Sequence, residues 1–258
     1  MTKLHSAKVQ FLIPVIAATF FAFALCQTAR AQQEPQPTSG TVQAKSEIAK
    51  KKYEELPLDD KISTTPAFQL PKGPVPNPGI HHRQDWGAKA VQEELMRPHK
   101  NVQLTIHHEG VLDDGKVDDV RKLAGLQRFS INDKPWGDNP YHFTITREGE
   151  VWEGRLSDFA GDTNTTYDPT GHLLVEVAGS FNRQPFTPVL HTSLVHLLAY
   201  LSQQYDISPD TIKGHKDFAQ TDCPGEGIHA LIRDGSLVKE VKDYMKECAE
   251  KKKSESQK

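Results

Sequence analysis

From about residue 79 onward, hydrophobic and polar positions repeat with the periods of strands and helices. Strict alternation predicts strands at 102–108 and 172–178. Two shorter runs, at 141–146 and 150–153, predict a hairpin, because a turn sequence separates them. A last short strand is expected at 211–213, directly before a polar stretch.

Apolar residues at helical spacing predict three helices between and after these strands. The first is expected at 117–130, with an apolar face made by Val117, Val120, Leu123, Ala124 and Leu126. The second begins at Thr187-Pro188, since Thr caps helices well and Pro fits their first position. The third is expected at 235–249 and ends in a charged tail.

The alternation also assigns side chains to faces of the first strand. Val102, Leu104 and Ile106 share an apolar face that His108 extends, whereas Gln103, Thr105 and His107 share the polar face. The two adjacent histidines therefore point in opposite directions. His107 ends the polar row, where ligands gather in sheet proteins, and His108 is expected to be a hydrogen-bonded core histidine or a partner of a ligand.

The strand at 172–178 carries one ionisable residue on an otherwise apolar segment. Leu173, Val175 and Val177 face one side, and Leu174 and Glu176 face the other. A carboxylate in such a strand is costly unless it is paired or useful. Glu176 is therefore a candidate for proton handling, and a buried salt bridge is the alternative.

The stretch 214–225 holds the strongest chemical signal, a histidine and a cysteine eight positions apart, His215 and Cys223. Imidazole and thiolate together suit zinc. A catalytic zinc normally has three protein ligands, and His107 is the candidate for the third. The structural alternative is a surface histidine and a buried free cysteine.

The amino-terminal part of the chain predicts export and a flexible linker. A basic start, an uncharged run at 11–26 and the sequence Ala29-Arg30-Ala31 predict a signal peptide at 1–31. A lipoprotein signal at Cys26 and an uncleaved anchor are the alternatives. Residues 32–78 are rich in proline and polar residues, which predicts a flexible linker. The folded domain is then expected at 79–249, with a charged tail at 250–258, in the periplasm or secreted, with no stable membrane span after cleavage.

The charge of the chain bears on its binding partners, and its cysteine content bears on whether a disulfide forms. The formal net charge is −3 and no long basic block is present, so no nucleic-acid partner is expected. After signal cleavage Cys223 and Cys248 remain, and an oxidising compartment would allow them to form a disulfide. Against that, Cys248 lies on a helical apolar stripe, which is typical of a packed apolar residue.

Taken in order, these motifs resemble the zinc N-acetylmuramoyl-L-alanine amidases of the peptidoglycan-recognition-protein and phage lysozyme-amidase superfamily. The resemblance covers roughly residues 80–232. It implies zinc ligands at His107, His215 and Cys223, and catalytic roles for Tyr141, Thr221 and Glu176. The matching segments are Trp86-Gly87-Ala88, Ile106-His107-His108, Tyr141-His142-Phe143, Glu153-Gly154-Arg155, Gly214-His215 and Thr221-Asp222-Cys223-Pro224-Gly225.

The resemblance also implies a fold and a reaction. The fold would be α/β, a single domain with a central mixed β-sheet flanked by helices and Zn²⁺ in a surface groove. The reaction would be hydrolysis of the amide between N-acetylmuramic acid and L-alanine in peptidoglycan or a muropeptide, by a monomer. A non-catalytic muropeptide receptor of the same fold is the alternative, and a structural zinc module, which would need a fourth protein ligand, is a third reading. Ser130 and the loop 160–171 depart from the usual pattern, which leaves the preferred stem peptide unspecified.

Overall fold

The structure, a computed structural model, describes residues 75–257. The expected signal peptide at 1–31 and the linker up to residue 74 lie outside the described residues, so both stay predictions. Within 75–257 the chain forms five strands and four α-helices. In chain order these are β1 Gln103–His108, α1 Asp119–Asn132, β2 Phe143–Ile145, β3 Val151–Glu153, β4 His172–Val177, α2 Pro188–Tyr205, β5 Lys213–Gly214, α3 Glu226–Arg233 and α4 Ser236–Glu255.

The strands form one mixed sheet in the order β3-β2-β4-β1-β5. Strand β1 lies between β4 and β5 and runs parallel to both, and β2 runs parallel to β4. Only β3 is antiparallel, because it returns from β2 through the predicted hairpin. The expected α/β fold with a central mixed sheet is therefore confirmed. The carboxyl ends of β1, β4 and β5 meet at the same edge of the sheet.

One face of the sheet carries the main core. Helices α2, α3 and α4 pack on its strand residues. In β1 and β4 these are the residues that the alternation assigned to the apolar faces, except that Val102 is exposed because β1 begins only at Gln103. Each strand residue of this core is at least 95% buried, so burial of this face is the main hydrophobic contribution to stability. They are Leu104, Ile106, Phe143, Ile145, Leu173, Val175 and Val177.

The opposite face is covered by α1 and loops around a smaller apolar cluster of Trp86, Leu123 and Trp152. Trp86 is the packed anchor that its Trp-Gly context predicts, and its indole N–H donates to the Glu153 carbonyl at 2.7 Å. The predicted apolar face of α1 was partly wrong. Val117 and Val120 are exposed, because the helix begins only at Asp119 and turns the side of Leu123 inward.

The C-terminal part differs from the expected boundaries at two points. The predicted strand at 211–213 is instead a 3₁₀ turn, Pro209–Thr211, followed by the two-residue strand β5. Helix α4 continues to Glu255, past the expected end at 249. At the other end, Val75 is buried in the main core although we placed it in the linker, and its N–H donates to the Gln203 side chain at 2.7 Å.

Both described cysteines, Cys223 and Cys248, are free and buried, so the disulfide left open by the sequence is not formed. Cys248 packs in the main core with Val241 and Met245, as its helical stripe predicts. Between residues 75 and 257, no helix combines the length and the apolar character needed to cross a bilayer.

Candidate metal centre and groove

A cavity of about 520 Å³ opens at the sheet edge where β1, β4 and β5 end. Five of the six predicted site residues line it, namely Tyr141, Glu176, His215, Thr221 and Cys223. The sixth, His107, is fully buried. The loop at 162–165 forms part of the wall, as the polar sequence of that loop suggested.

Three of these residues come together as a possible metal site. His107 is the second-last residue of β1. His215 directly follows β5, and Cys223 lies in the loop after His215. One ligand atom from each residue lies within 4.8 Å of the others, and all three residues are buried. Since β1 and β5 are parallel neighbours, the fold itself brings the two histidines together across 108 residues of sequence.

The donor set and its spacing fit zinc. His107 Nδ1 lies 3.6 Å from Cys223 Sγ. Zn–S bonds of about 2.3 Å and Zn–N bonds of about 2.0–2.1 Å, at a tetrahedral angle, place S and N roughly 3.6 Å apart. The rings of His107 and His215 have their centroids 4.6 Å apart. Histidine nitrogen and cysteine sulfur are both common zinc ligands, and three protein ligands are the usual number in a catalytic zinc site.

Burial sets the protonation of the two histidines. It lowers the pKa of His215 to about 4 and takes the pKa of His107 well below its usual range. Both rings are therefore neutral near pH 7, which is the form that binds metals. His107 Nε2 is buried with no hydrogen-bond partner among the described residues. The contacts of this ring are therefore its packing and the approach of Nδ1 to Cys223 Sγ.

The backbone around Cys223 is shaped to place its sulfur. Cys223 Sγ accepts the backbone N–H of His108 at 3.2 Å, and Thr221 Oγ1 accepts the backbone N–H of Cys223 at 3.2 Å. Burial raises the pKa of the thiol to about 12. Gly225 follows with φ of 88°, and a Cβ there would lie 2.8 Å from the carbonyl carbon of Phe181 and 3.0 Å from His108 Nδ1. That position therefore requires glycine.

His108 faces away from the three possible ligands, as the alternation predicts. Its ring packs at 6.3 Å from the ring of Phe181, and Nδ1 accepts the backbone N–H of Phe181 at 3.4 Å. Its own N–H contacts the sulfur of Cys223. His108 therefore supports the site through its backbone.

Among the acids that line the groove, Glu176 has the largest shift in pKa. It pairs in register with His107 on β1 and with Thr144 on β2, so the three side chains form a row on one face. Thr144 Oγ1 donates to its carboxylate at 2.9 Å. Burial, followed by the negative charge of Glu109, raises the pKa of Glu176 to about 8. Among the described residues its side chain forms no ion pair, so the buried salt bridge that the sequence left open is absent from 75–257.

Tyr141 lies beside the possible metal ligands. Its ring centroid is 5.2 Å from that of His107. Burial raises the pKa of Tyr141 well above its usual range, and the carboxyl of Glu176 adds to that effect. The phenol is therefore protonated at neutral pH and can donate a hydrogen bond into the groove.

Sequence reasoning missed two residues that organise the groove. Arg155 is fully buried and holds the loop before Tyr141 against the loop at 160–162. Thr165 contacts His215 through its hydroxyl at 2.8 Å. In the sequence, Arg155 is noticeable only as part of a segment that resembles the amidases, and Thr165 only as one polar residue of a loop. Neither residue has a local sequence signal for its long-range contact.

A family model described as N-acetylmuramoyl-L-alanine amidase matches residues 98–226, half of the 258-residue chain. The chain belongs to this amidase family. The match includes all six predicted site residues. The resemblance drawn from the motifs is thereby confirmed at the level of the family.

Two curated relatives place the chain within a family of varied members. The human N-acetylmuramoyl-L-alanine amidase is 28% identical over 165 residues, which are 60% of this chain and 28% of the human protein. Peptidoglycan-recognition protein SC2 of Drosophila melanogaster is 25% identical over 159 residues, 61% of this chain and 86% of the fly protein. The chain thus spans little more than a quarter of the human relative.

A solved structure carries the same fold. The crystal structure of Drosophila peptidoglycan recognition protein SD matches with a TM-score of 0.54 and 24% identity, over 60% of this chain and 92% of that chain. This likeness supports the α/β fold with a mixed sheet flanked by helices.

Proposed function

We propose that this amidase-family chain is a zinc hydrolase that cleaves the amide between N-acetylmuramic acid and L-alanine of the peptidoglycan stem peptide. The observation that carries the proposal is the cluster of His107, His215 and Cys223 at the edge of a groove of about 520 Å³. The substrate class follows from the family and from the names of both relatives.

In this proposal His107, His215 and Cys223 hold Zn²⁺, and Cys223 binds as the thiolate. Binding therefore releases the thiol proton, because burial keeps that proton on the sulfur of the metal-free protein. Zinc, when bound, supplies Lewis acidity that polarises the scissile carbonyl and favours the ionised forms of nearby acids. The groove beside these three residues has a volume of about 520 Å³.

Glu176 is the residue that accepts and returns the proton in the proposed reaction. Its pKa near 8 lies close to neutral pH, where a group both takes and gives protons most effectively. Thr144 fixes the carboxyl by one hydrogen bond, which leaves its other oxygen for water or substrate. The absence of an ion pair keeps this acid available for that role.

Tyr141 and Thr221 are proposed to stabilise the oxygen of the scissile carbonyl as negative charge develops on it. Both line the groove and both carry a hydroxyl proton. Thr221 Oγ1 already accepts the N–H of Cys223, so its proton is free to point toward a substrate oxygen. The two roles can be tested separately, since Tyr141→Phe removes the phenol donor, and Thr221→Val removes the hydroxyl donor together with the acceptor of the Cys223 N–H.

The test is mass spectrometry of muropeptides incubated with the purified protein, with and without a zinc chelator. We expect release of a stem peptide that begins with L-alanine, loss of this release on chelation, and its recovery when zinc is returned. Intact muropeptides bound to a zinc-loaded protein would contradict catalysis and favour the receptor alternative. Cleavage that resists complete removal of zinc would contradict the metal assignment.

The proposal includes a place of action. We infer export through a signal peptide at 1–31, with a linker that ends before Val75 between that signal and the amidase domain, and action as a monomer in the periplasm or outside the cell. Sequencing the amino terminus of the secreted protein tests this, since a mature chain that begins at Gln32 is expected.

A further inference from the structure

The loop that follows β3 reaches across the groove and contacts one of the proposed zinc ligands. Thr165 Oγ1 lies 2.8 Å from His215 Nε2. Thr165 Oγ1 also lies 2.9 Å from Thr163 Oγ1, which accepts the backbone N–H of Thr165 at 3.2 Å. A chain of hydrogen bonds therefore runs from the ring of His215 into this loop.

The chemistry of the imidazole limits how this chain can be oriented. An imidazole that binds a metal is neutral and so carries one ring proton, on either Nδ1 or Nε2. If Nε2 carries it, Nε2–H donates to Thr165 Oγ1, and Thr165 donates its own hydroxyl proton to Thr163 Oγ1. The lone pair of Nδ1 is then available for a metal. The reverse orientation would place the proton on Nδ1 and remove that lone pair.

The same loop also holds the His215 ring from its side. The Tyr167 ring lies 5.2 Å from the His215 ring and stacks on Phe218 at 5.5 Å with an interplanar angle of 18°. The Nε2 atom of His107, in contrast, is buried without a hydrogen-bond partner among the described residues. Within the part of the chain that the structure describes, only the His215 ring therefore has a hydrogen-bond partner at Nε2.

We propose that Thr165 is a positioning residue for the metal centre, which accepts the Nε2 proton of His215 and thereby directs Nδ1 of that ring to the metal. The inference rests on the proposed zinc site. It extends that site because Thr165 was not among the predicted site residues. Partners of this kind orient a ligating histidine, and their removal typically costs about 10- to 100-fold in metal affinity.

The test compares zinc dissociation constants, measured by competition with a chromophoric chelator, for the wild type and three variants. Thr165→Val keeps the shape of the side chain and removes the acceptor, so its affinity should fall by about 10- to 100-fold. Thr165→Ser restores the hydroxyl and should bind within about threefold of the wild type. Thr166→Val is the matched control, because Thr166 is the exposed neighbour in the same loop, and its affinity should not change.

A second measurement reads the tautomer without any metal. In the zinc-free protein, ¹⁵N chemical shifts of the His215 ring should show the proton on Nε2 in the wild type, and a mixture of both tautomers in Thr165→Val. His215→Gln identifies the signals. This readout also reports whether Thr165→Val remains folded, because the remaining histidines keep their shifts in a folded variant.

The inference would be overturned by Thr165→Val that binds zinc as tightly as the wild type, or by a wild-type ring protonated on Nδ1. Its failure can be distinguished from failure of the proposed function. A wild type that binds zinc yet leaves muropeptides intact would end the proposed catalysis, while the affinity ratio of Thr165→Val would still decide the role of Thr165. A wild type without zinc affinity would overturn both.

Discussion

Replacing Arg155 by lysine should destabilise the protein strongly even though the charge is kept. The Arg155 side chain has no exposed surface, and its guanidinium donates to five acceptors in the two loops that frame the groove. Four are backbone carbonyls and the fifth is a carboxylate at 2.7 Å, and all three guanidinium nitrogens donate to at least one of them. The acceptors belong to Trp136, Asp138, Asn139, Ala160 and Asp162.

The expected magnitude follows from counting donors. A lysine ammonium has three N–H groups, so at least two of the five acceptors lose their partner. Each buried acceptor left without a hydrogen bond costs about 1–3 kcal/mol, which gives a loss of roughly 2–6 kcal/mol in the free energy of unfolding. For a domain of this size that corresponds to a decrease in Tm of roughly 5–20 °C.

The assay is denaturant unfolding of Arg155→Lys followed by tryptophan fluorescence, in the presence of a chelator so that bound metal adds nothing to stability. Arg147→Lys is the control. Arg147 is half exposed and makes one hydrogen bond, to the carbonyl of Asp113 at 2.7 Å, so its replacement should cost less than about 1 kcal/mol. A loss below about 1 kcal/mol for Arg155→Lys would refute the view that this side chain holds the two loops together.

Three further substitutions test separately the metal ligand Cys223, the acid Glu176 and the core residue Cys248. Cys223→Ser should abolish zinc retention after dialysis and hydrolysis with it, and a variant that kept both would disprove the ligand assignment. Cys248→Ser is its matched control, since it places a hydroxyl in the apolar core at a cost of about 1–3 kcal/mol and should leave the zinc content unchanged. Glu176→Gln should retain zinc and lower kcat by about 10²- to 10⁴-fold, and unchanged turnover would exclude Glu176 from proton transfer. Zinc at 100 times its dissociation constant should stabilise the wild type by about 2.7 kcal/mol against denaturant and leave Cys223→Ser unaffected, whereas equal shifts would place the metal elsewhere.

The sequence predicted the faces of the central strands because alternation is a local property. The side-chain period of two determines which residues of β1 and β4 face the main core, whatever pairs with the strand, but it does not show that Val102 lies before β1 and is exposed. The opposite directions of His107 and His108 follow from the same rule. The proximity of His107, His215 and Cys223 required one more step, which the order of motifs supplied through the resemblance to the amidases.

The parts that sequence reasoning missed depend on contacts between distant segments. Arg155 serves acceptors in two other loops, and Thr165 contacts a ring 50 positions away. A polar loop sequence contains no signal for such a partner. Helix α3, Glu226–Arg233, was missed because it has only eight residues and follows a glycine with no side-chain cap to mark its start. Val117 and Val120 were assigned to a buried face because periodicity does not show where a helix begins.

The environment of Glu176 bears on the choice between an enzyme and a receptor of the same fold. Burial raises the pKa of the Glu176 carboxyl. Ionisation of this group opposes folding, because the charge is better solvated in the unfolded chain. A groove that only binds muropeptides gains nothing from such a group, since an apolar or amide side chain would fill the row beside His107 and Thr144 at lower cost. A hydrolase does gain, because proton transfer needs an acid whose pKa lies near the working pH. A receptor also does not need the thiol of Cys223 as a metal ligand. This thiol, and a buried Glu176 that forms no ion pair within residues 75–257, therefore favour catalysis over binding alone.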